Sequence, residues 1–467
     1  SLHCASIPRP NGDGGQIVGH GTGHTERTSP TLTLSILAIA AVSYVLQQTL
    51  VVPALPTIQR DLHTSTTWVT WVFTGFWLTS AVATPLLGLQ GAAGAIFPLA
   101  FGIVRDELPP QKVGMGLGLL SATFGVGGGA GLVLSGVVLD HLPWTWLFWI
   151  GAAPVAVALV LVWRLVPESP VRTPSRVDWQ GASTLSLGLA GFLLALSEGA
   201  SWGWTSATTL GVAAASLVML VVWVAVELRV PEPMVDIGMM RDRAVFWTNV
   251  VAFIAGFAMF GTFLLVPQFV QMGAGLPGPI AAQIDYGFGA SVIVAGLYLL
   301  PSSAIMLVVG PGAGLLEGKV GARALTMAGS VILGIGGLLL AAAHARPFEI
   351  VVAMTLVGIG VGLVYAMLAK LIVDSVPREV TGVAMGMNTV MRTIGGVIGG
   401  QVGAAVLSAM TIDGTGGIPA EGAFTAMFVI SGVVAVAGAL CALRIPRRRG
   451  PDVAPRPVGG TAPVVGG

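Results

Sequence analysis

Arg392 is the residue of this 467-residue chain whose position most needs a chemical explanation. It is the only strongly basic residue deep in an apolar run, with Asn388 one turn before it on the same helical face and Gly395 and Gly399 continuing that face. A guanidinium in hydrocarbon costs at least about 2.5–3.5 kcal/mol by insertion scales, so it must meet a partner or a wet cavity, or snorkel to the nearer interface. The chemistry on offer is recognition by charge and hydrogen bonding. Gln47, Gln48 and Thr49, near the end of the first apolar run, place amides and a hydroxyl at membrane depth. They either line a cavity or bond between helices. Trp68, Trp71, Phe73, Phe76 and Trp77 either wall a pocket for lipophilic cations or pack against lipid and neighbours.

The other charged candidates have plainer readings. Lys370 and Asp374 form an i, i+4 pair at the end of a span. Glu198 ends its span beside Trp202 and Trp204, an interfacial aromatic belt. Asp285 and Tyr286 lie in a solvated loop, and Glu227–Arg243, with Met234, Ile237, Met239 and Met240 among charges, reads as an amphipathic surface helix. No G-x-x-x-x-G-K-[ST] loop, G-x-S-x-G elbow or H-E-x-x-H pair occurs, so neither ATP nor hydrolytic chemistry is indicated and the chain is not expected to be an enzyme. The six histidines lack ligand spacing, and Cys4 and Cys441 cannot build a disulfide framework. No metal, no cofactor and no nucleic-acid partner is expected.

The elements that must position these residues follow from composition. Hydrophobic residues make up 54% of the chain and charged ones 9%, with a mean hydropathy of +0.86, values that only a polytopic membrane protein sustains at this length. The lipid bilayer is therefore its first partner. Spans are predicted at about Leu32–Pro53, Val113–Val138, Trp146–Val166, Trp179–Leu196, Thr208–Val226, Val245–Val270, Ser291–Leu315, Leu325–Ala343, Ile350–Val373, Val380–Met410 and Phe424–Leu443. Arginine and lysine gather in alternate loops, from Lys112 and Arg164 to Lys319, Arg323, Lys370 and the cluster Arg444–Arg449. The positive-inside rule then makes that side, and both termini, cytoplasmic.

Thr64–Val104 carries no charge and as one helix would be roughly 60 Å long, twice the hydrocarbon thickness. Parity gives it one net crossing, with a kink near Pro85/Gly88 or a part lying in the interface, and twelve crossings in all. The expected organisation is a cytoplasmic tail without fixed structure (1–31), a first transmembrane bundle (32–166), an inserted helix pair with a cytoplasmic loop (167–244), a second bundle (245–444) and a second such tail (445–467).

One span is unusual in kind. Gly114–Gly136 has a glycine at nearly every third position, and two ladders, Ser121/Gly125/Gly129 and Gly127/Gly131/Ser135, would let neighbouring backbones approach closely. Glycine is a poor helix former in water, but in lipid the helix must form to satisfy its own backbone. The ladders serve packing alone or a seam that flexes.

Several stretches taken in order resemble the major facilitator superfamily, specifically its fourteen-span drug:proton antiporter branch. They are Leu46–Ile58 (LQQTLVVPALPTI), Trp71–Gly88, Leu89–Pro98, Gly131–Gly136 (GLVLSG) within the glycine-rich span, Trp144–Pro154, Leu196–Trp204, Gly314–Arg323 (GLLEGKVGAR) and Gly382–Gly400. The resemblance implies an all-α fold of two helical bundles with an extra helix pair between them. It implies secondary active, proton-coupled export of drugs or other lipophilic small molecules by alternating access, by a monomer in the plasma (inner) membrane, with the proton motive force as energy source. Gln47, Gln48, Trp71, Phe76, Asn388 and Arg392 would contribute to the substrate cavity. Gly125, Gly129, Gly131, Gly136, Gly314, Gly321, Arg323, Gly395 and Gly399 would carry conformational or packing motifs.

The chain also departs from that pattern. Leu86–Gly88 runs straight into Leu89–Gly91, where family members have a gating loop, a third span and the start of the fourth with its arginine, so the first bundle is expected to be one helix short. Gln47 stands where the family has an acidic residue, Val133 where it has proline, Ser135 where it has glycine and Gly318 where it has aspartate. These departures keep a second expectation open, a transport-incompetent truncated form or a membrane scaffold.

Overall fold

The computed structural model describes residues 30–51, 54, 58, 61–63, 104, 108, 110–165, 178–230, 237–273, 283–377, 380–415 and 417–446. Within them lie eleven long helices: α1 (Pro30–Leu50), α2 (Pro110–His141), α3 (Thr145–Leu165), α4 (Trp179–Trp202), α5 (Ala207–Glu227), α6 (Arg243–Gln271), α7 (Val292–Val320), α8 (Ala322–Ala342), α9 (Pro347–Ser375), α10 (Thr381–Ala409) and α11 (Glu421–Ala442). Nine of these are long and apolar enough to cross a membrane, and α1 and α3 contain shorter apolar helices. The stretch 64–103, the Gly88–Leu89 junction with it, and the tails 1–29 and 447–467 lie outside the described residues.

Local chemistry explains where the helices begin. Asp178, Ser206, Asp242 and Ser291 cap α4, α5, α6 and α7 by accepting backbone N–H groups of the first turn. At α9, Pro347 occupies the first turn and Glu349 accepts the Arg346 N–H at 2.9 Å. Gly321, with φ of +87°, turns the chain between α7 and α8, a conformation L side chains rarely adopt. Inside the spans, hydroxyls return to the carbonyl one turn back, as Thr248 does to Ala244 at 2.6 Å and Thr326 to Ala322 at 2.8 Å. Such back-bonding pairs a donor that the hydrocarbon would otherwise leave unsatisfied.

The apolar span Trp179–Leu196 has the expected bounds, and α4 itself runs on to Trp202, with Glu198 in that last part 4% exposed and accepting the Ser201 hydroxyl at 2.8 Å. One expectation is corrected. The described part of Glu227–Arg243 holds a five-residue 3-10 turn, Ile237–Arg241, in place of a surface helix. Its Met239 and Met240 pack against the interior beside Val245.

Helices α6–α11 share one apolar core around Phe269, Met354, Phe424 and Phe428. α1, α2 and α3 form a smaller cluster near Leu50, Val138 and Leu147. The α4–α5 pair packs mainly on itself and docks on α10 through Leu185, Leu189, Trp223, Met387 and Ile394. The rest of α5, with Leu217, Val218 and Val221 exposed, faces outward as a lipid-contacting surface should.

The two bundles meet along α2. It runs antiparallel to α7, pairing Gly114 with Gly314, Gly118 with Gly310, Gly129 with Ser303 and Gly136 with Ile293. A side-chain carbon at Gly118 would stand 2.1 Å from the Gly310 carbonyl oxygen, so these backbones touch. On another side α2 meets α1, where a carbon at Gly131 would lie 2.0 Å from the Thr49 hydroxyl and Thr49 donates to the Gly127 carbonyl at 3.2 Å. The bundles are also joined at one end by apolar residues of α1, α2, α9 and α10, among them Leu37, Leu117, Ile372 and Met385. This is the end that carries Arg241, Arg243, Lys319, Arg323 and Lys370. At the opposite end a tight turn, with Thr411 bridged to Pro419, links α10 to α11. There His344 meets Glu421 at 2.8 Å and the Tyr286 hydroxyl donates to the Pro419 carbonyl.

Candidate functional site

Above the apolar closure that joins the bundles, α6, α9 and α10 bring a group of polar side chains together. Arg392 is 7% exposed, and its guanidinium carbon sits 4.5 Å from the centre of the Tyr365 ring on α9, within cation–π range. Tyr44 of α1 packs against the apolar closure below. The Tyr365 hydroxyl donates to the Met259 sulfur of α6 at 3.1 Å, which fixes the ring under the cation. One turn toward the apolar closure, Asn388 donates its amide to the Asn249 oxygen at 3.1 Å, and Asn249 reaches the Met240 sulfur at 3.6 Å.

Arg392 is positioned by the backbone beneath it. α10 lies flush on α6: a carbon at Gly256 would be 2.0 Å from the Arg392 carbonyl oxygen, and one at Gly395 or Gly399 would be 2.0 or 2.4 Å from the Phe253 or Phe257 oxygen. The two glycines place the helix, and the helix then directs its long side chain toward α9. The result is a buried cation faced by an aromatic ring, with an amide pair beside it, suited to holding an organic molecule by charge and stacking and equipped for no bond-making step.

The remaining site expectations fall elsewhere. The Gln47 amide oxygen is buried against Gly151 of α3, with no hydrogen-bond partner among the described residues. Gln48 lies in α1 and Gly125 in α2, but the surroundings of both are outside the description, as are Trp71 and Phe76. Gly129, Gly136 and Gly314 belong to the α2–α7 contact, Gly131 to α1–α2, and Gly321 and Arg323 to the turn into α8. Lys370 and Asp374 pair at the exposed end of α9. Tyr44, Asn249, Met259 and Tyr365 were missed. The signal for Asn249 was an amide near the start of an apolar run, and for the tyrosines their scarcity, four in the whole chain.

A family model described as the Major Facilitator Superfamily matches residues 86–400, more than half of the chain, and matches 278–466 a second time. The chain belongs to the major facilitator superfamily. Multidrug resistance protein 3 of Bacillus subtilis is 28% identical over 305 residues, covering 64% of this chain and 57% of that protein. The chain thus spans just over half the length of that relative. The tetracenomycin C resistance and export protein of Streptomyces glaucescens is 26% identical over 418 residues, 79% of this chain and 74% of that one. Among solved structures, the human organic anion transporter MFSD10 (TETRAN) superposes with a TM-score of 0.61 at 14% identity, covering 88% of this chain and 99% of that one. That likeness shows the facilitator fold. Membership also accounts for the absence of enzymatic machinery at the Arg392 site, since the superfamily consists of transporters.

Proposed function

We propose that this facilitator is a secondary active exporter of drugs or other lipophilic small molecules, alternating access to the Arg392 site between the two faces of the plasma membrane and driven by the proton motive force. The observation that carries the reading is the Arg392–Tyr365 pair, a buried cation–aromatic contact between α9 and α10 above the apolar closure that joins the bundles. An ionisable side chain at this depth is costly to bury, and a site worth that cost is a functional one. The relatives named for multidrug resistance and for resistance and export support the direction of transport. The charge distribution supports cytoplasmic termini, because the apolar closure lies at the arginine- and lysine-rich end. In this reading the protein works as a monomer with the inner end shut.

The test is dye flux in proteoliposomes under an imposed pH gradient, using a panel of lipophilic dyes. Flux that a protonophore collapses and that Arg392→Ala abolishes supports the proposal. Gradient-independent leakage, identical in wild type and Arg392→Ala, overturns it and favours the scaffold reading.

A further inference from the structure

We propose that the cationic ends of α6, α8 and α11 form a binding site for the headgroup of an anionic phospholipid, whose phosphate is held by Arg243, Arg323 and Arg444 beside Trp247. The packing brings these residues to one level. Gly438 of α11 lies between its neighbours, where a side-chain carbon would stand 2.9 Å from Ile254 of α6 and 3.6 Å from Ser330 of α8. Both neighbours run antiparallel to α11. Going toward the cationic end from 254 to 247, from 330 to 323 and from 438 to 445 moves each chain by the same number of residues, about 10 Å along its axis. The contact at the end of α11 agrees, because the Arg444 guanidinium carbon sits 5.2 Å from the centre of the Trp247 ring. Trp247 packs against the core and Ile445 is fully buried, so both sides of that contact are anchored. Arg243 stands one turn before Trp247 on the same face of α6.

Charge supplies the second argument. Arg241, Arg243 and Arg444 are exposed and Arg323 is half-buried, and none of the four pairs with a carboxylate among the described residues. Asp242, which stands between two of them, directs Oδ1 to the N–H groups of Ala244 and Val245. α8 starts at Gly321 with no side-chain cap, so N–H groups of its first turn are donors at the same end. The sequence adds Arg447, Arg448 and Arg449 just after Ile445. A phosphate answers both the charge and the donors. The surface beside it assigns that phosphate to a lipid. Leu440, 63% exposed, lies one turn from Arg444 on the same face of α11, and Phe246, next to Trp247, is 40% exposed, so an acyl chain finds apolar wall next to its headgroup. The competing explanation is that these arginines only keep their end on one side of the membrane. Orientation asks for charge in the loops and not for three chain ends converging on one ring.

The experiment reads binding without flux and so stands apart from the exporter reading. The full chain, stripped of lipid in detergent, is titrated with dioleoylphosphatidylglycerol or with dioleoylphosphatidylcholine, which share acyl chains and differ in net charge, and native mass spectrometry gives the fraction carrying lipid. Arg243→Gln/Arg444→Gln is measured beside Lys112→Gln/Arg229→Gln, which removes two exposed charges from the same end at α2 and just after α5. Wild type is expected to bind the anionic lipid at least about fivefold more tightly, the scale of one arginine's attraction to an anionic membrane surface. The Arg243/Arg444 variant should bring that ratio near one, and the Lys112/Arg229 variant should keep it. Equal affinities in wild type would overturn the site, and so would a preference lost as fully in the Lys112/Arg229 variant, which is a general effect of charge. Glycerol phosphate is added as a competitor and is expected to leave the lipid bound; displacement would assign the site to a free phosphate ester and overturn the lipid. The wild-type ratio and this competition decide the proposal even where a variant fails to fold.

Discussion

Two glycine-lined contacts, α2 on α7 and α6 on α10, bring backbones equally close and do different jobs. The first lies between the bundles, with backbone against backbone at Gly114 and Gly118 and the Ser303 and Ile293 residues set against Gly129 and Gly136. The second lies within one bundle and is clasped by Asn388 and Asn249 beside its glycines. Small residues let helices approach in both cases, but only the second adds a directional bond that registers them. Composition alone thus sets distance, while a polar clasp decides whether the contact is free to slide.

The sharpest way to break this comparison is a side chain in each contact. Gly256→Val has no relief inside a bundle whose helices share one core, and is expected to abolish folded protein or lower the melting temperature by more than about 10 °C. Gly118→Val meets a clash of similar size, but the two bundles can rotate apart to relieve it. The expected result is a folded protein with flux reduced at least tenfold, visible as a normal melting profile beside an inactive transport assay. Equal thermal losses in the two variants would erase the distinction.

The clasp comes next in size. Asn388→Leu leaves the Asn249 amide buried without its donor, which costs about 1–3 kcal/mol. Asn249→Leu/Asn388→Leu is expected to recover part of that loss, because replacing both partners removes the orphan, and chemical denaturation of the two variants measures the difference. On the α1–α2 contact, Thr49→Val removes the bond to the Gly127 carbonyl and is expected to cost about 0.5–1 kcal/mol. The smallest effect belongs to Gln47→Leu. It deletes a buried carbonyl that has no partner among the described residues, so stability should stay level or rise slightly in the same melting assay.

How much of this could be read in the sequence depends on which interaction decides. Span positions agree with the helices to within a few residues at most ends, because in hydrocarbon the backbone must pair with itself and hydropathy reports that directly. At α4 the apolar span ends at Leu196 as expected, and the Ser201 hydroxyl, bonded to Glu198, lies in a polar continuation of the same helix to Trp202 that no hydropathy window registers. The glycine ladders were half legible. Gly127 and Gly131 do share a partner, α1, but Gly129 joins Gly114, Gly118 and Gly136 on α7, since a helix this long serves two neighbours at once. Arg392 and Asn388 stood out as rare polar residues at depth. Their partners Tyr365 and Asn249 are set by how α9 and α6 pack on α10, information that sequence spacing does not contain.

The apolar closure that joins α1, α2, α9 and α10 at the cationic end has a thermal consequence. Opening that end wets Leu37, Leu117, Ile372, Met385 and their neighbours. Exposing apolar surface raises heat capacity, so the free energy of opening is curved in temperature and the hold of the closure weakens on cooling. In the exporter proposed above, this closure would make the cationic end respond to temperature: the populations of its two access states would drift, and transport rates plotted against reciprocal temperature would follow a curve rather than a straight line.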